Sequence, residues 1–464
     1  MNRPVIIKIV ALGTVLLALL FGLSLVQDVV NDRQSHRYQA ASSVANSIAG
    51  NQTVVGPFVH MSCVESWDEK VKDPDGTTTV QEKRREFMMT AVPESLDIKS
   101  STGIENRARG LHQVNVFNNK AIIKAEWASL NKLKPTQEVK NSRMNCGTPI
   151  LMLGVSDVRG IRNVKLNVDG TPHKLKAGTF HPVYSKGVHA TLPDNLRNSN
   201  SSSNSNSAII AIVEMELVGT DSLSIAPVGD TTQVRMQSNW PHPSFAGRFS
   251  PAERNITEQG FDATWRLTSM ATSAGQDVVQ SRPVCQQNDQ AAAQDSSKAC
   301  VETLQVSFID PINPYSLSDR ATKYGLLFIV LTFAAVGLFE VMKHLRVHPV
   351  QYFLVGSAIS IFFLLLVSLS EHFSFNLAYA AAASACVLLL TYYASYMLHG
   401  FLRGLPFGLG VASLYGLLFV LLQLEQTALV VGAVALFAAL ALVMFLTRKI
   451  DWYQLTTGAG SQPE

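Results

Sequence analysis

Residue patterns that could carry chemistry are scarce in this chain of 464 residues. It has no G-x-S-x-G segment of a serine hydrolase, no H-E-x-x-H zinc motif and no glycine-rich loop of the kinds that hold nucleotide phosphates. A catalytic group assembled from distant residues is the enzymatic alternative that the sequence leaves open. We therefore expect a protein that is not an enzyme, with no cofactor and no bound metal. The net charge of +3 also argues against a nucleic-acid partner.

The segment from Asn239 to Phe245 has the most unusual composition outside the apolar regions, because two prolines bracket a histidine beside two aromatics. Prolines are poorly compatible with a central strand, so the segment is expected to form a loop or bulge. Asn239, Trp240, His242 and Phe245 are accordingly candidate recognition residues, and among them only His242 can titrate near neutral pH. The alternative is that the aromatics close the rim of a β core while the prolines end a strand.

Ionisable residues lie at the ends of the apolar segments. Glu340, Glu371 and His372 are close enough to those ends to reach lipid headgroups, and we expect them to be interfacial rather than catalytic. Asp319, Arg320 and Lys323 precede an apolar segment and are expected to form a junction between a soluble domain and the membrane.

Four of the five cysteines lie in the polar part of the chain and one, Cys386, in an apolar segment. Four cysteines allow three pairings. We favour Cys285 with Cys300, which closes a short loop, and this leaves Cys63 with Cys146. The alternative is that one or both pairs stay reduced.

The apolar segments predict how the chain meets a membrane. A helix needs about 20 mainly apolar residues to cross the hydrocarbon core. Six segments qualify or nearly do, at about 6–26, 325–342, 352–369, 375–397, 406–424 and 428–446. The first is too long for a signal peptide and continues in helical rhythm to about Gly50, so we expect an uncleaved anchor. Lysine and arginine in the short flanks place both termini in the cytoplasm.

The stretch between the first and second apolar segments predicts a large β-rich domain. Apolar and polar residues alternate at 123–127, 164–168, 213–217, 261–267 and 304–308, as in strands with one buried face. Asp169-Gly170 suits a tight hairpin turn. Helical periodicity is weak between these runs, so antiparallel sheet is favoured, as one domain or as two sandwich-like halves. The polar runs 198–207 and 286–298 are expected to be a loop or linker and a loose excursion.

Together these features predict an α+β membrane protein. Its expected parts are an N-terminal transmembrane helix (1–26), an antiparallel β-rich periplasmic domain (27–323), a region of five transmembrane helices (324–447) and a cytoplasmic tail (448–464). In a Gram-negative cell, the expected location is the inner membrane, with the β-rich domain in the periplasm.

Several long strings identify a resemblance that covers nearly the whole chain. They are Ser238–Phe245, Leu317–Tyr324, His348–Gly356, Leu369–His372 and Phe445–Tyr453, together with Val55–Phe58 and Gly154–Ile161. These strings resemble the CreD family of bacterial inner-membrane proteins. The resemblance implies a protein of cell-envelope integrity, expressed in many bacteria under a two-component system and linked to tolerance of envelope-acting agents. It brings no catalytic residues with it.

The function expected from sequence is therefore the support of envelope integrity under stress. The β-rich domain would bind an envelope protein or lipid, and the helices would contact the lipid bilayer. A transporter or lipid-handling protein that uses the C-terminal helices is the alternative, and a sensor would need another subunit for its output. The oligomeric state is left open by the sequence.

Overall fold

The computed structural model describes residues 3–72, 78–110, 112–193, 208–285, 300–310, 314–343, 347–397, 400–424 and 427–448. The chain divides into two compact units. The helical unit comprises residues 1–38 and 312–464, and the β unit comprises residues 39–311. The four-part division expected from the sequence stays a prediction.

Seven of the helices belong wholly or largely to the helical unit. They are α1 (Arg3–Ser47), α3 (Pro314–Lys323), α4 (Gly325–Lys343), α5 (Pro349–Ser370), α6 (Phe375–Met397), α7 (Phe401–Gln423) and α8 (Ala428–Thr447), while α2 (Ala274–Val279) lies in the β unit. A helix thus covers each of the six apolar segments. The 45 residues of α1 span about 67 Å, which is about twice the thickness of a hydrocarbon core, and this confirms that its helix continues well past the apolar part.

Among the described residues, four helices are long and apolar enough to cross a membrane, namely α1, α5, α6 and α7. The number rises to five if the bent pair Tyr315–Lys323 and Gly325–Gly337, which meet at 43°, is one span. Val430–Phe445 within α8 is a shorter apolar helix. The sequence predicted six spans, and that number stays a prediction.

The described residues of the β unit form seventeen strands. They are β1 (Gln52–Lys72), β2 (Thr78–Ala91), β3 (Ser95–Arg109), β4 (His112–Trp127), β5 (Arg143–Cys146), β6 (Ile150–Val155), β7 (Ile161–Val168), β8 (Thr171–His173), β9 (Lys176–Ala177), β10 (Gly187–Thr191), β11 (Ile209–Thr220), β12 (Ser222–Ile225), β13 (Thr231–Ser238), β14 (Ser244–Gly247), β15 (Glu253–Thr257), β16 (Gly260–Thr268) and β17 (Leu304–Ser307). Every alternating run in the sequence lies on one of them, although Phe308 falls just beyond the end of β17.

The strands form two sheets. The nine-stranded sheet has the order β14-β17-β12-β1-β6-β10-β9, with β2 and β5 also paired to β1, and the eight-stranded sheet has the order β15-β16-β13-β3-β4-β11-β7-β8. The pairs β1 with β12 and β3 with β13 are parallel, and the other pairs between described strands are antiparallel. The predicted preference for antiparallel sheet therefore holds with two exceptions.

Both sheets contribute to one hydrophobic core, so the β unit is one domain and not two separate halves. On β4 the alternation buries Ile123, Ala125 and Trp127 and leaves the intervening residues on the outer face. The Trp127 Nε1–H donates to the carbonyl of Ala91 at 3.1 Å, so burial of the indole leaves no donor unpaired. Pairing along β4 with β3 and β11 then fixes which outer side chains become neighbours.

The predicted hairpin turn is present between β7 and β8. Asp169 and Gly170 have φ values of 50° and 79°, the left-handed conformation that a tight hairpin turn requires and that Asp and Gly tolerate best. The Asn/Ser run at 198–207 and the excursion at 286–298 lie outside the described residues.

Candidate functional site

The predicted recognition segment divides into buried aromatics and exposed polar residues. Trp240 is 8% exposed and belongs to the hydrophobic core, and its Nε1–H donates to the carbonyl of His242 at 2.8 Å. Phe245, on edge strand β14, packs against Phe261 and Trp265 with ring centroids 5.6 and 5.7 Å away. For these two aromatics the geometry favours packing at the rim of the core.

Asn239 and His242 are exposed. The Asn239 side chain bonds the backbone of Ile104, accepting from its N–H at 2.8 Å and donating to its carbonyl at 3.4 Å, so it continues the pairing of β3 after β13 has ended. The imidazole of His242 lies beside Trp240, with ring centroids 6.3 Å apart. A recognition role for these two residues stays a prediction.

The predicted junction residues lie on α3. Asp319 accepts hydrogen bonds from Gln27 of α1 at 2.5 Å and from Lys323 at 2.7 Å. Arg320 is half-buried on the same helix. Asp319 thus joins α3 to α1 within the helical unit, and the part that these residues play at a membrane surface stays a prediction.

Two of the predicted interfacial carboxylates are ion-paired with α1. Glu340 pairs with Lys8 and also accepts from the Tyr352 hydroxyl at 3.0 Å. Glu371 pairs with Arg33 at 3.4 Å. The side chains of Glu340 and Glu371 are 14% and 11% exposed, so both are largely covered by protein. His372 is exposed.

The stretch of α1 between Lys8 and Arg33 spans about 37 Å, a little more than the hydrocarbon thickness of ~30 Å. The two ion pairs therefore lie far enough apart along α1 to occupy opposite borders of a bilayer. This spacing is compatible with the expected interfacial depth of both glutamates.

The cysteines of the β unit lie in two pairs at disulfide distance. Cys63 on β1 and Cys146 on β5 are directly opposite each other, with Cα atoms 4.1 Å apart, and the Cα atoms of Cys285 and Cys300 are 4.9 Å apart. This is the pairing that the sequence favoured. Cys386 is buried on α6.

A depression on the outer face of the eight-stranded sheet gathers cations that the sequence did not single out. We call it the β3–β13 depression. Its volume is about 760 Å³, and its lining includes Lys99, Lys120 and Arg235. Arg235 on β13 and Lys99 on β3 are paired positions of adjacent strands, and both side chains are exposed. Like charges at neighbouring positions of paired strands repel each other, so an anion bound between them would stabilise this arrangement.

The carboxylates near the β3–β13 depression do not supply that anion. Glu214 and Lys99 both pair with Ile122 from opposite sides, so their strands are roughly 9.6 Å apart. Glu216 is opposite Lys120 but accepts from the Asn118 amide at 2.8 Å.

Glu253 interacts electrostatically with Arg235, but its ion pair is with Arg266, at 2.8 Å. Within the described part of the chain, Lys99, Lys120 and Arg235 form no ion pair. The β13 and β3 side of the depression therefore presents cations that form no ion pair with a described residue.

A second feature that the sequence analysis missed is the β9–β10 loop, residues 178–187. The Gly178 N–H donates to the carbonyl of Gly187 at 2.9 Å and closes the loop. Within it Thr179, His181 and Tyr184 are buried. Their side chains fix the loop from inside, since the Thr179 hydroxyl donates to the Tyr184 carbonyl at 2.5 Å and the rings of His181 and Tyr184 stack at 4.7 Å.

His60 on β1 completes the attachment of the β9–β10 loop. Its Nε2 is 2.8 Å from the carbonyl of Thr179, which can only accept, so Nε2 carries the hydrogen and the buried Nδ1 has no partner in the described residues. His181 Nδ1 accepts from the N–H groups of Val183 and Tyr184 at 3.2 and 3.3 Å, so this nitrogen is also unprotonated.

Burial lowers the pKa of both histidines, and the pKa of His181 falls to about 4, with the neighbouring His60 as the second cause. Burial also raises the pKa of the Tyr184 hydroxyl. The attachment thus depends on two neutral imidazoles.

A sequence signal for the β9–β10 loop was available. No aspartate or glutamate occurs between Asp169 and Asp194, a stretch that holds three histidines and three lysines. The β3–β13 depression had no comparable signal, because alternation assigns Lys99 and Arg235 to a face but does not show that β3 and β13 are adjacent. Among the described residues, no group of three or more His, Cys, Asp or Glu side chains could hold a metal ion.

The chain matches known proteins along nearly its whole length. The family model described as inner membrane protein CreD matches residues 4–453. The inner membrane protein CreD of Escherichia coli strain K12 is 32% identical over 455 residues, which cover 98% of this chain and 95% of that protein.

A solved structure is also similar in part. The crystal structure of an M1 zinc metallopeptidase from Deinococcus radiodurans aligns with 46% of this chain and with 42% of its own, at 12% identity and a TM-score of 0.21. This chain thus spans less than half of that peptidase, and a likeness so slight carries no conclusion about it. The family match and the bacterial relative instead confirm the resemblance in the sequence, and the chain belongs to the CreD family of inner membrane proteins.

Proposed function

We propose that this CreD family member is a non-enzymatic membrane protein that supports the integrity of the cell envelope under stress. Its β unit lies in the periplasm and holds an anionic component of the envelope in the β3–β13 depression. The proposal of an anionic ligand rests on the placement of Arg235 opposite Lys99, since neither cation forms an ion pair with a described residue.

The periplasmic location is supported by the cysteines and by the flanks of the apolar helices. Cys63–Cys146 and Cys285–Cys300 lie at disulfide distance, and disulfides persist in oxidising compartments such as the periplasm. Arg3 precedes the apolar part of α1 and Lys8 lies at its start, which favours a cytoplasmic N-terminus and an external β unit.

The lining of the β3–β13 depression fits an anion with several hydrogen-bonding oxygens. Lys99, Lys120 and Arg235 supply charge, and the exposed Ser101 and Gln237 lie at paired positions of β3 and β13, two residues after Lys99 and Arg235. Guanidinium and ammonium groups bind phosphate and carboxylate through charge-assisted hydrogen bonds, which are about twice as strong as neutral ones. A ligand that carries phosphate or carboxylate would relieve the repulsion between Arg235 and Lys99.

The test is photo-crosslinking in living cells from a probe at Ser101, followed by mass spectrometry of the adduct. We expect an adduct that carries phosphate or carboxylate and disappears in the variant Lys99→Glu, Lys120→Glu, Arg235→Glu. The same variant should lose tolerance of an envelope-acting agent while its amount in the membrane is unchanged.

A matched control reverses three exposed cations elsewhere in the β unit, Lys70, Lys140 and Arg254. These changes alter the net charge equally and should leave both adduct and tolerance intact. An adduct that survives reversal in the depression, or tolerance lost equally in both variants, would reject the proposed site. Labelling of β-unit lysines by a membrane-impermeant reagent in spheroplasts tests the location separately.

A further inference from the structure

The β9–β10 loop presents an apolar surface outward while three buried side chains hold it in place. Phe180 is 73% exposed and Val183 is 40% exposed, whereas Thr179, His181 and Tyr184 between and beside them are buried. Neighbouring residues of one short loop therefore point in opposite directions, some into the core and others out of the molecule. The contacts of the inner side chains hold the loop backbone that carries the outer apolar side chains.

The backbone at Phe180 adds an independent observation. Its φ is 57°, in the left-handed region that glycine, asparagine and aspartate occupy most easily. A bulky aromatic residue is strained there, and such strain is concentrated at functional positions. Stability does not explain the phenylalanine, because its ring is mostly exposed and contacts the His189 ring at one edge, with centroids 4.7 Å apart.

The charged side chains of the β9–β10 loop and of the two strands that flank it are lysines, because residues 170–193 contain no aspartate or glutamate. Lys176 on β9 is paired with His189 on β10, and the ring of His189 contacts the ring of Phe180. Lys186 lies within the loop. Lys174 lies between β8 and β9, at the same edge of the β unit. Lysines on edge strands discourage strand pairing between molecules, and this explains Lys176. It does not explain an exposed aromatic beside them.

From these features we propose that the β9–β10 loop docks onto an anionic lipid surface, with Phe180 and Val183 inserted among the headgroups and Lys176 and Lys186 paired with lipid phosphates. Phenylalanine is among the side chains that segments lying on a membrane bury at the boundary between headgroups and acyl chains, and each lysine near an anionic surface strengthens binding. A protruding aromatic needs a groove on a protein partner, but it enters a fluid interface without one. This inference is independent of the ligand in the β3–β13 depression.

The experiment uses the full-length protein in nanodiscs with a fluorescent noncanonical residue at Val183. Lipids with brominated chains, which quench on contact, are placed either in the nanodisc or in added vesicles of phosphatidylcholine and phosphatidylglycerol. We expect quenching in one of these two arrangements, with a strong decrease at high salt or when the anionic lipid is omitted.

Phe180→Asn is the decisive variant, since asparagine accepts the left-handed backbone but cannot insert. It should weaken the lipid contact about tenfold and leave the melting temperature equal or higher. Lys176→Gln and Lys186→Gln should each weaken it about fivefold. Met270, which is 99% exposed in the same unit, provides the matched control, and Met270→Asn should change nothing.

Three results would overturn the proposal. The first is no quenching from either bilayer by the folded protein. The second is equal quenching with neutral lipid or equal loss in Met270→Asn. The third is a large fall in melting temperature for Phe180→Asn, which would make the phenylalanine a packing residue. A lipid contact that fails while the Ser101 adduct persists would leave the proposed function standing.

Discussion

At the scale of single residues, the neutrality of His181 is a requirement of the loop that contains it. Its Nδ1 accepts two backbone N–H groups, so a proton on that nitrogen would face two donors. His60, Tyr184 and Ser281 contact the ring, and Asp277, a carboxylate on the neighbouring helix α2, is paired with Arg282 at 2.7 Å. No described acid is therefore placed to favour the imidazolium.

We predict that acid destabilises the β unit through this residue. The folded pKa of His181 is about 4, below the unfolded value near 6.5, so the folded state binds fewer protons in between. Stability is complete above about pH 6.5 and is lost as pH falls toward 4, on the order of 2 kcal/mol. His181→Asn keeps an acceptor and should flatten this dependence in urea melts at a series of pH values. His242→Asn, at an exposed histidine, should leave it unchanged.

The Trp240 segment gives a second prediction at this scale. Trp240→Ala should destabilise the β unit by about 3 kcal/mol, because it removes a large side chain from the core. His242→Ala should change stability by less than about 0.5 kcal/mol, since the ring is exposed. Chemical denaturation of both variants measures these changes in the free energy of unfolding. Equal stability of Trp240→Ala and the parent protein would contradict the packing interpretation and return the tryptophan to the candidate recognition residues.

At the scale of elements, the two cysteine pairs close loops of different length. Cys63 and Cys146 are 83 residues apart and Cys285 and Cys300 are 15 residues apart. In the chain-entropy description, the longer loop stabilises by about 4.5 kcal/mol and the shorter by about 3 kcal/mol. We expect Cys63→Ser with Cys146→Ser to lower the unfolding free energy more than Cys285→Ser with Cys300→Ser. Denaturation with and without a reductant measures both, and no response to the reductant would show that the pairs are reduced.

Ion pairs also join α1 to Glu340 and Glu371, which lie at the ends of C-terminal helices. Removing one partner leaves a half-buried charge without compensation, so Glu340→Ala should destabilise the helical unit by about 2 kcal/mol. The exchanged pair Lys8→Glu with Glu340→Lys should recover part of that loss. Thermal stability in detergent is the measurement. The single variants Lys8→Glu and Glu340→Lys are measured alongside it. If the double variant loses more stability than the two single variants lose together, Tyr352 rather than Lys8 is the important partner of Glu340.

At the scale of the whole molecule, the number of spans decides on which side of the membrane the chain ends. With a cytoplasmic N-terminus, six spans return residue 464 to the cytoplasm and five place it outside. We expect six, with α8 crossing the membrane, and therefore fluorescence from green fluorescent protein fused after Glu464. Activity of alkaline phosphatase fused at the same position, without that fluorescence, would show five spans.

The sequence by itself determined the local elements of this protein and its family. The apolar segments placed helices, the alternating runs placed strands, and Asp169-Gly170 placed a hairpin turn, because each of these signals depends on residues close together in the chain. The cysteine pairing also followed from few alternatives. The CreD family membership rested on long strings that needed no structure.

Only the tertiary structure decided which side chains meet. Arg235 faces Lys99 because β3 and β13, which are far apart in the chain, pair in parallel, and a period of two identifies a face of a strand but not its neighbour. The burial of Trp240, the ion pairs of α1 and the attachment of the β9–β10 loop to His60 have the same origin. Each joins residues distant in sequence, and the free energy that selects such contacts comes from the whole core rather than from any local pattern.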